Sequence, residues 1–306
     1  MKPLNILIVA GGRRYSFVER LKSRGFKVWA YEISRDVPIE SLCEEVITPL
    51  FEDELEDIRF ICKRNDIPYV LPLSDKMAVE CSKLDNCIGH NTKVAETCYD
   101  KKLFDKYMKS TFPQYYPGII GTYINSPAII KPRFGNSSKG ISYHTDKSFL
   151  ILDDEKDIAQ QLIGGVEYSV DAYFDKNSSW SAICPRIRER VAGGEVVDSV
   201  TTKKRDLIQI TRHIGLTMGM TGPACFQYKD DTFASSHQYP QLFEINARFG
   251  GGCILSIEAG LRMIDYIRCE YYDDYPLYGE APYREGLRMR RVFRETFFDE
   301  KANNSV

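Results

Sequence analysis

The alternation of apolar and polar positions at the start of the chain predicts a strand, a helix and a second strand. Residues Asn5 to Ala10 form an apolar run that ends at Gly11-Gly12, residues Ser16 to Arg24 have a helical pattern, and Lys27 to Tyr31 form another strand-like run. Strands that alternate with helices are typical of parallel sheets. The pattern therefore predicts an α/β unit at the start of the chain.

A further apolar strand is predicted at Tyr69 to Leu73, and the pair Ser74-Asp75 follows it directly. Ser and Asp are common N-cap residues, so we expect them to begin a helix that contains Met77, Ala78 and Val79. With the preceding unit, this predicts a small doubly wound domain that extends to about residue 95.

The middle of the chain combines a charged helix with a strand that contains one lysine. Residues Asp100 to Met108 have the pattern of a charged amphipathic helix, and Ala128 to Pro132 read as a strand in which Lys131 is surrounded by apolar residues. A charge at such a position needs an anionic partner. Residues Phe134 to Ile141 then form a polar loop bracketed by glycines, which either lays backbone N–H groups along phosphate oxygens or is a plain hairpin turn. The order of residues in a Walker loop is absent.

The second half predicts a mainly antiparallel sheet with helices beside it. The predicted strands are Glu167 to Phe174, Ser181 to Arg190, Glu195 to Thr201, Ala224 to Lys229 and Phe243 to Asn246. Helical periodicity covers Asp206 to Gly219 and a closing helix from Ile257 to Arg268, while Asp157 to Leu162 fits a short helix or a strand.

The most informative stretch runs from Phe243 to Gly252, because Glu244, Asn246 and Arg248 stand at alternate positions of one strand. Side chains two residues apart in a strand point to the same face. A carboxylate and an amide oxygen suit Mg²⁺, and an arginine beside them suits a phosphoryl oxygen. The alternative is a polar strand end followed by a glycine turn.

Composition limits the classes of function. The 306 residues carry a formal net charge of −2, which gives no global argument for binding nucleic acid or an anionic membrane. The nine cysteines lack any Cys-x-x-Cys pair, which favours reduced thiols over a disulfide framework or a zinc site. No apolar stretch has bilayer length, and we expect a cytoplasmic protein.

The loop Gly11-Gly12-Arg13-Arg14 could present amides and guanidinium groups to an anion at a helix start. It lacks the full spacing of a dinucleotide fingerprint, so a nicotinamide site is a weaker alternative.

Several motifs together resemble the ATP-grasp superfamily over roughly residues 5 to 265, and most of all its carbamoyl phosphate synthetase-like branch of carboxylate-amine ligases. They are, in order, the initial βα domain, Lys101, Lys131, the glycine loop, Gln160-Gln161-Leu162-Ile163, Glu167, Gln227 and Glu244-Ile245-Asn246-Ala247-Arg248. The resemblance implies an α/β plus α+β fold with an N-terminal doubly wound preATP-grasp domain and two β-rich subdomains that clasp the nucleotide. It divides the chain into a Rossmann-like domain (1–95), a linker helix (96–117), a small lid subdomain (118–164) and a large subdomain with the metal site (165–306).

The resemblance also implies roles for individual residues. Lys101 and Lys131 match positions that touch the nucleotide phosphates, although Lys101 is equally well read as a surface lysine. Residues of the loop, among them Gly135, Ser137, Ser138 and Gly140, match a flap over the triphosphate. Adenine would lie at Gln160 and Leu162 and the ribose at Glu167, for which a cross-strand charge pair is the alternative. Gln227, Glu244 and Asn246 would bind two Mg²⁺ ions, with Mn²⁺ possible, and Arg248 would join Lys131 in stabilising the transferred phosphoryl group.

By the same resemblance, a substrate carboxylate attacks ATP and yields ADP and an acyl phosphate, which an amine captures. The acid would lie between Gly11–Arg14, Ser74-Asp75 and the turn Gly250–Gly252. Arg186, Arg188 and Arg190 would orient triphosphate or acid, or form a solvated basic edge. An ATP-binding module without turnover and a subunit of a larger synthetase are further alternatives. We expect small-molecule acid and amine substrates, no nucleic acid or membrane partner, and a homodimer as one possible assembly.

Overall fold

The computed structural model describes residues 4–135, 140–145, 149–231, 238–273, 275, 279 and 282–292. Its first part is a parallel sheet with helices between the strands. The strands are β1 (Leu4–Val9), β2 (Phe26–Tyr31), β3 (Glu45–Ile47) and β4 (Tyr69–Pro72), and the helices are α1 (Tyr15–Ser23), α2 (Glu54–Arg64) and α3 (Asp75–Cys81). The strand order is β3-β2-β1-β4, and all pairs are parallel. The predicted α/β unit with a parallel sheet is confirmed, and the doubly wound domain remains a prediction.

Side-chain caps begin the helices of this part. The side chain of Ser74 accepts a hydrogen bond from the Met77 amide at the start of α3, as predicted, and Asp53 caps α2 through the amides of Leu55 and Glu56. Helices α4 (Thr92–Tyr99) and α5 (Lys101–Thr111) follow, and Asn91 and Asp100 cap them in the same way.

A small antiparallel sheet follows α5. The structure has β5 (Tyr123–Ile124), β6 (Ala128–Pro132), β7 (Ser142–His144), β8 (Leu150–Ile151) and β9 (Asp157–Gln161). Strand β6 lies between β7 and β9, whereas β5 pairs with β8 in a separate ribbon. The segment Asp157 to Leu162, which fitted either a helix or a strand, is therefore a strand. The strand after the glycine loop agrees with the absence of a Walker motif.

The largest sheet has the strand order β14-β13-β10-β11-β12-β15. Its members in chain order are β10 (Val166–Phe174), β11 (Ser181–Ala192), β12 (Glu195–Thr201), β13 (Gly222–Asp230), β14 (Gln241–Asn246) and β15 (Arg288–Arg290), with α6 (Arg205–Met218) between β12 and β13. All of its pairings are antiparallel, as predicted. Helix α6 ends at Gly219, whose φ of 71° is unfavourable for other residues.

The closing helix predicted from Ile257 to Arg268 is wrong as one helix. The structure has two short helices, α7 (Cys253–Ala259) and α8 (Met263–Ile267), followed by a π-helical turn at Arg268–Tyr272. Gly260 separates them with a φ of 120°, which lies outside the helical region. Apolar periodicity continues across this break, so the pattern alone did not reveal it.

The parallel sheet and the largest sheet share a hydrophobic core. Side chains of β1 and α1 pack in the same cluster as Tyr173, Phe249 and Tyr266, and the rings of Phe17 and Phe249 lie 4.7 Å apart. This packing places the end of β14 against the first glycine loop. Among the described residues, no helix has the length and apolar character needed to span a bilayer.

Candidate active site

A cavity of about 280 Å³ contains most of the residues singled out by sequence. Its lining includes Lys101, Lys131, Gly135, Gln160, Leu162, Glu167, Gln227, Glu244, Asn246 and Arg248. Gly140 is not part of the lining, although its neighbour Ile141 is. Ser137 and Ser138 lie outside the described residues.

The predicted metal ligands lie on two neighbouring strands. Gln227 of β13 stands directly opposite Glu244 of β14, and Cys225 stands opposite Asn246. Because alternate residues of a strand share a face, Glu244 and Asn246 are both presented to the cavity. Within the described ranges, neither Glu244 nor Gln227 has a side-chain hydrogen bond or an ion pair. Their oxygen atoms are therefore open to a ligand.

Asn246 and Arg248 contact each other at the end of β14. The Oδ1 atom of Asn246 accepts a hydrogen bond of 2.8 Å from Arg248, whose guanidinium also donates to Asp75 over 2.7 Å. The buried Nδ2 atom of Asn246 has no hydrogen-bond partner within the described residues. Asp75 comes from the start of α3, so Arg248 joins the largest sheet to the first domain. The Asp75 carboxylate and its hydrogen bond raise the pKa of Arg248, against the opposing effect of burial.

This group of side chains fits a hard cation. Gln227, Glu244 and Asn246 offer one carboxylate and two amide oxygens, and an amide oxygen with two lone pairs can accept from Arg248 and still bind a metal. No cluster of three or more His, Cys, Asp or Glu side chains able to hold a metal occurs among the described residues. The three side chains include only one carboxylate. Such a site suits a metal whose remaining ligands are phosphate oxygens.

Lys131 lines the same cavity and is buried, with 5% of its surface exposed. Its ammonium donates to Gln160 Oε1 over 2.8 Å and lies 4.8 Å from the centre of the Phe243 ring. Burial is the main cause that lowers the pKa of Lys131 to about 8, with a smaller opposing effect from Glu244. Lys131 has no ion pair within the described residues, so its charge is available to an anion.

Gln160 and Lys101 have partners within the protein that the sequence did not indicate. The Nε2 atom of Gln160 donates to the Tyr116 hydroxyl over 3.2 Å, so both ends of this amide are held. Lys101 donates to the carbonyl groups of Arg133 and Gly135 over 3.4 and 3.3 Å. Lys101 therefore contacts Gly135 of the glycine loop, which a purely surface lysine would not do.

Glu167 lines the cavity and also forms the cross-strand charge pair that was the alternative for it. Its carboxylate lies 2.7 Å from Arg188 and 3.6 Å from Lys229. The three arginines of β11 do not form one basic edge. Arg186 is buried, Arg188 is half-buried and lines the cavity, and Arg190 is exposed after a register shift that follows Arg188.

Sequence reasoning missed a buried network below the turn Gly250–Gly252. The Arg186 side chain donates to Asp171 over 2.8 Å, and the Ser256 hydroxyl donates to the same carboxylate over 2.6 Å. Asp171 shares a strand face with Glu167, and this alternation was the signal that could have placed it at the site. Ser256 lies 85 residues from Asp171 and gave no such signal.

The first glycine loop differs from its prediction as an open anion site. The amide of Gly11 donates to the carboxylate of Glu32 over 2.5 Å, so one of its donors is already used. Arg13 is exposed and does not line the cavity, whereas Arg14 does. The first domain therefore contributes to the cavity through one arginine and through Asp75, which reaches Arg248.

Comparison with known proteins gives one family model that matches part of the chain. Residues 154–293 match the sequence model of the family described as ATP-grasp in the biosynthetic pathway with Ter operon. No curated protein sequence matches the chain.

Solved structures share the fold across nearly the whole chain. An N5-carboxyaminoimidazole synthetase from Staphylococcus aureus, in complex with ADP, superposes with a TM-score of 0.70 at 15% identity, covering 92% of this chain and 80% of that one. The biotin carboxylase domain of the 2-oxoglutarate carboxylase from Hydrogenobacter thermophilus, with MgADP and bicarbonate, gives 0.67 at 14% identity over 90% and 71%. An L-amino acid ligase from Bacillus licheniformis gives 0.65 at 16% identity over 87% and 73%. These likenesses establish a common fold.

Proposed function

We propose that this chain, of which residues 154–293 match an ATP-grasp family model, is an ATP-dependent ligase that joins a carboxylic acid to an amine. A carboxylate oxygen of the acid attacks the γ-phosphorus of ATP, and the bond between that phosphorus and the bridging oxygen breaks. ADP leaves with the bonding electrons. The amine then attacks the carbonyl carbon of the acyl phosphate, inorganic phosphate leaves, and the amine loses a proton.

The observation that carries this proposal is the pairing of Gln227 with Glu244 across β13 and β14, in one cavity with Lys131. Two unpartnered oxygen-bearing side chains and a buried ammonium without an ion pair can serve a metal and a phosphate in the same space. A polar strand end with no ligand would leave these groups without compensation.

We assign the phosphate contacts to Lys131, Lys101 and the Gly135 end of the loop. A lysine suits a phosphate that moves during the reaction, because its ammonium is a mobile point charge. Arg248 would contact the transferred phosphoryl group and release one of its present partners to do so. Gln227, Glu244 and Asn246 would hold Mg²⁺, at two positions in our proposal and with Mn²⁺ as a substitute. When bound, the metal neutralises phosphate charge.

Within the same cavity we assign the adenine to Gln160 and Leu162 and the ribose to Glu167. Leu162 is exposed at the cavity, where it can meet the adenine edge, and a carboxylate suits two hydroxyl groups. Glu167 would then keep its contacts with Arg188 and Lys229, because a carboxylate accepts several hydrogen bonds at once. The ADP in the S. aureus synthetase and the MgADP in the H. thermophilus domain support a nucleotide in this fold.

A second candidate is a nucleotide-binding chain that has no turnover of its own and acts within a larger synthetase. The observation in its favour is the neutral Gln227 opposite Glu244, which leaves one carboxylate among the three proposed ligands. Fewer negative ligands weaken the binding of a divalent cation.

A screen for ADP release tests both candidates. The chain is incubated with MgATP and with a matrix of carboxylic acids and amines, each also supplied alone. We expect ADP release that requires one acid, and a condensed product that also requires one amine. ATP binding without ADP release in every combination would contradict the ligase and favour the second candidate.

A further inference from the structure

Arg14 reaches the cavity from the first domain. It lies in the loop between β1 and α1, and its guanidinium donates to the carbonyl of Leu73 over 2.8 Å and to that of Gly250 over 3.0 Å. The side chain lines the cavity together with the turn Gly250–Gly252. Two carbonyl groups from distant parts of the chain thus hold this guanidinium in place.

The charge of Arg14 is not neutralised within the described part of the chain. The other cavity arginines each have a carboxylate partner, at distances of 2.8 Å for Arg186, 2.7 Å for Arg188 and 2.7 Å for Arg248. Among the described residues, Arg14 has no ion pair. Burial and the neighbouring Arg248 guanidinium lower the pKa of Arg14 to about 10, so the side chain remains charged at neutral pH. A half-buried cation without a counter-ion is stabilised by an anionic ligand.

A second donor lies beside the same turn. The Nη1 atom of Arg186 is buried and has no hydrogen-bond partner within the described residues, and Arg186 is 1% exposed. This atom lies next to Gly252, where an added Cβ would stand only 2.7 Å from it. The glycine therefore leaves room for the guanidinium at the cavity wall.

We propose that Arg14 and the Nη1 atom of Arg186 form an anion subsite that binds a second anionic group of the acid substrate, distinct from the carboxylate that is activated. This inference rests on the proposed ligase function and assigns its substrate class. The acid carries at least two negative groups, and the second one is a carboxylate or a phosphate.

The chemistry of activation separates the two groups. The activated carboxylate loses its charge as the acyl phosphate forms, so a fixed guanidinium on it would stabilise the ground state more than the transition state. A remote anionic group keeps its charge throughout the reaction. A cation held by two carbonyl groups, as Arg14 is, serves such a group without opposing catalysis.

The triphosphate has its own cations in the proposed site. Lys101 and Lys131 lie near the glycine loop, and Arg248 is adjacent to the metal ligand Asn246. Arg14 instead contacts the carbonyl of Gly250, beyond that ligand along the chain. Removal of Arg14 should therefore change the binding of the acid and not that of the nucleotide.

The test measures the binding of simple anions to the full chain in the presence of saturating MgADP. The probes are succinate and glutarate for a second carboxylate, 3-phosphoglycerate for a phosphate, and butyrate as a matched acid with one charge. Isothermal titration compares the wild type with Arg14→Gln, with Arg14→Lys, which keeps the charge but loses the planar fork, and with Arg13→Gln. Arg13 is an exposed neighbour that does not line the cavity, and it provides the matched control.

We expect at least one dianionic probe to bind the wild type more tightly than butyrate, and the carboxylate and phosphate probes identify the second group. Arg14→Gln should weaken that dianion by about 10- to 100-fold, as expected for a charge-assisted hydrogen bond, and leave MgADP binding unchanged. The affinity of Arg14→Lys for the dianion should lie between those of the wild type and Arg14→Gln. The affinity of Arg13→Gln should equal that of the wild type.

Two results for a folded Arg14→Gln variant would overturn the subsite, and a third applies if that variant does not fold. One is equal binding of the dianions to the wild type and to Arg14→Gln, and the other is a loss of MgADP affinity in Arg14→Gln, which would assign Arg14 to the nucleotide. If Arg14→Gln does not fold, dianion binding to a folded Arg14→Lys that equals the wild type in affinity would overturn it as well. Failure of the ligase function is distinguishable, because it would appear as absent ADP release in the wild type whatever the outcome of anion binding.

Discussion

Polar side chains lie at the glycine turn after β1, called the first turn here, and at the end of β14 with the glycine turn that follows it, called the second turn. The two turns differ in whether these side chains have partners within the protein. In the first, the Gly11 amide donates to the buried carboxylate of Glu32, and an added Cβ at Gly12 would lie 3.2 Å from the same side chain. Near the second, Glu244 and the Nδ2 atom of Asn246 have no hydrogen-bond partner within the described residues. The Gly11 amide of the first turn is hydrogen-bonded within the protein, whereas Glu244 and the Nδ2 atom of Asn246 are available to a ligand.

This difference distinguishes polar groups that stabilise the fold from polar groups that can bind a ligand. Buried polar groups are normally paired, so groups left without partners beside a cavity point to a ligand. The nicotinamide alternative depended on free amides at the first turn, and Glu32 takes one of them. The second turn keeps the features that favoured a metal and a phosphate. Three substitutions and one pH titration test this distinction between the two turns.

The largest effect is expected for Glu244→Gln at the second turn. Loss of the carboxylate removes the single negative charge among the proposed metal ligands, and we expect the rate of ADP release to fall by about 100-fold or more. The free energy of unfolding should change by less than about 0.5 kcal/mol, because Glu244 has no ion pair among the described residues. Steady-state ADP release and chemical denaturation measure the two quantities.

Glu258→Gln provides the matched control for that change. Glu258 is a half-exposed carboxylate that pairs with Arg20 at the surface, away from the cavity. It should retain the wild-type rate of ADP release. Full activity in Glu244→Gln would contradict the metal site and leave the second turn without a role.

Lys131→Ala removes the buried ammonium of the same cavity. A charge-assisted contact to phosphate is worth about 1.5–3 kcal/mol, so we expect the KM for ATP to rise by about 10- to 100-fold. ATP saturation curves measure it, with the exposed Lys156 changed to Ala as the control. An unchanged KM would mean that Lys131 only contacts Gln160 and Phe243 and does not bind the phosphates of ATP.

Local patterns predicted much of this fold. Strands β6 and β12 have the predicted bounds. Glu244 and Asn246 alternate on β14 as expected, whereas Arg248 lies beyond the end of this strand, and all three line the cavity. Such predictions succeed because side-chain direction along a strand depends on the backbone alone. Four residues that carried the resemblance, Lys131, Glu167, Gln227 and Glu244, lie on strands and were visible in the sequence for that reason.

Contacts between distant segments were not predictable in the same way. Arg248 pairs with Asp75 across 173 residues, and Arg14 reaches Gly250 across 236. The positions of these residues in the sequence do not determine either contact. Both contacts depend on how the parallel sheet packs against the end of β14. The break at Gly260 was missed for a related reason, since apolar residues on both sides face the same core.

The binding of ATP should also depend on pH through Lys131. Because the pKa of Lys131 is lowered to about 8, its ammonium predominates in the free protein below that pH and is lost above it. Phosphate binding requires the charged form, so the affinity for ATP should be constant below about pH 8 and fall by about tenfold per pH unit above it.

Titration of the dissociation constant for MgATP between pH 6.5 and pH 9.5, values chosen to bracket the transition at about pH 8, measures this dependence. Lys131→Arg keeps its charge over the whole range and should remove the transition. A transition that persists in Lys131→Arg would assign it to another group.

The smallest effect on activity is expected at the first turn, where Glu32→Ala removes the acceptor of the Gly11 amide. A buried donor left without its partner costs about 1–3 kcal/mol of folding free energy, so the midpoint of chemical denaturation should fall. The KM for ATP should stay within about twofold of the wild type, because Glu32 does not line the cavity. Glu40→Ala, at a half-buried acid with no side-chain hydrogen bond or ion pair within the described ranges, is the control for stability. A large loss of ATP affinity in Glu32→Ala with unchanged stability would reverse the assignment of the two turns, because it would mean that the first one serves the nucleotide.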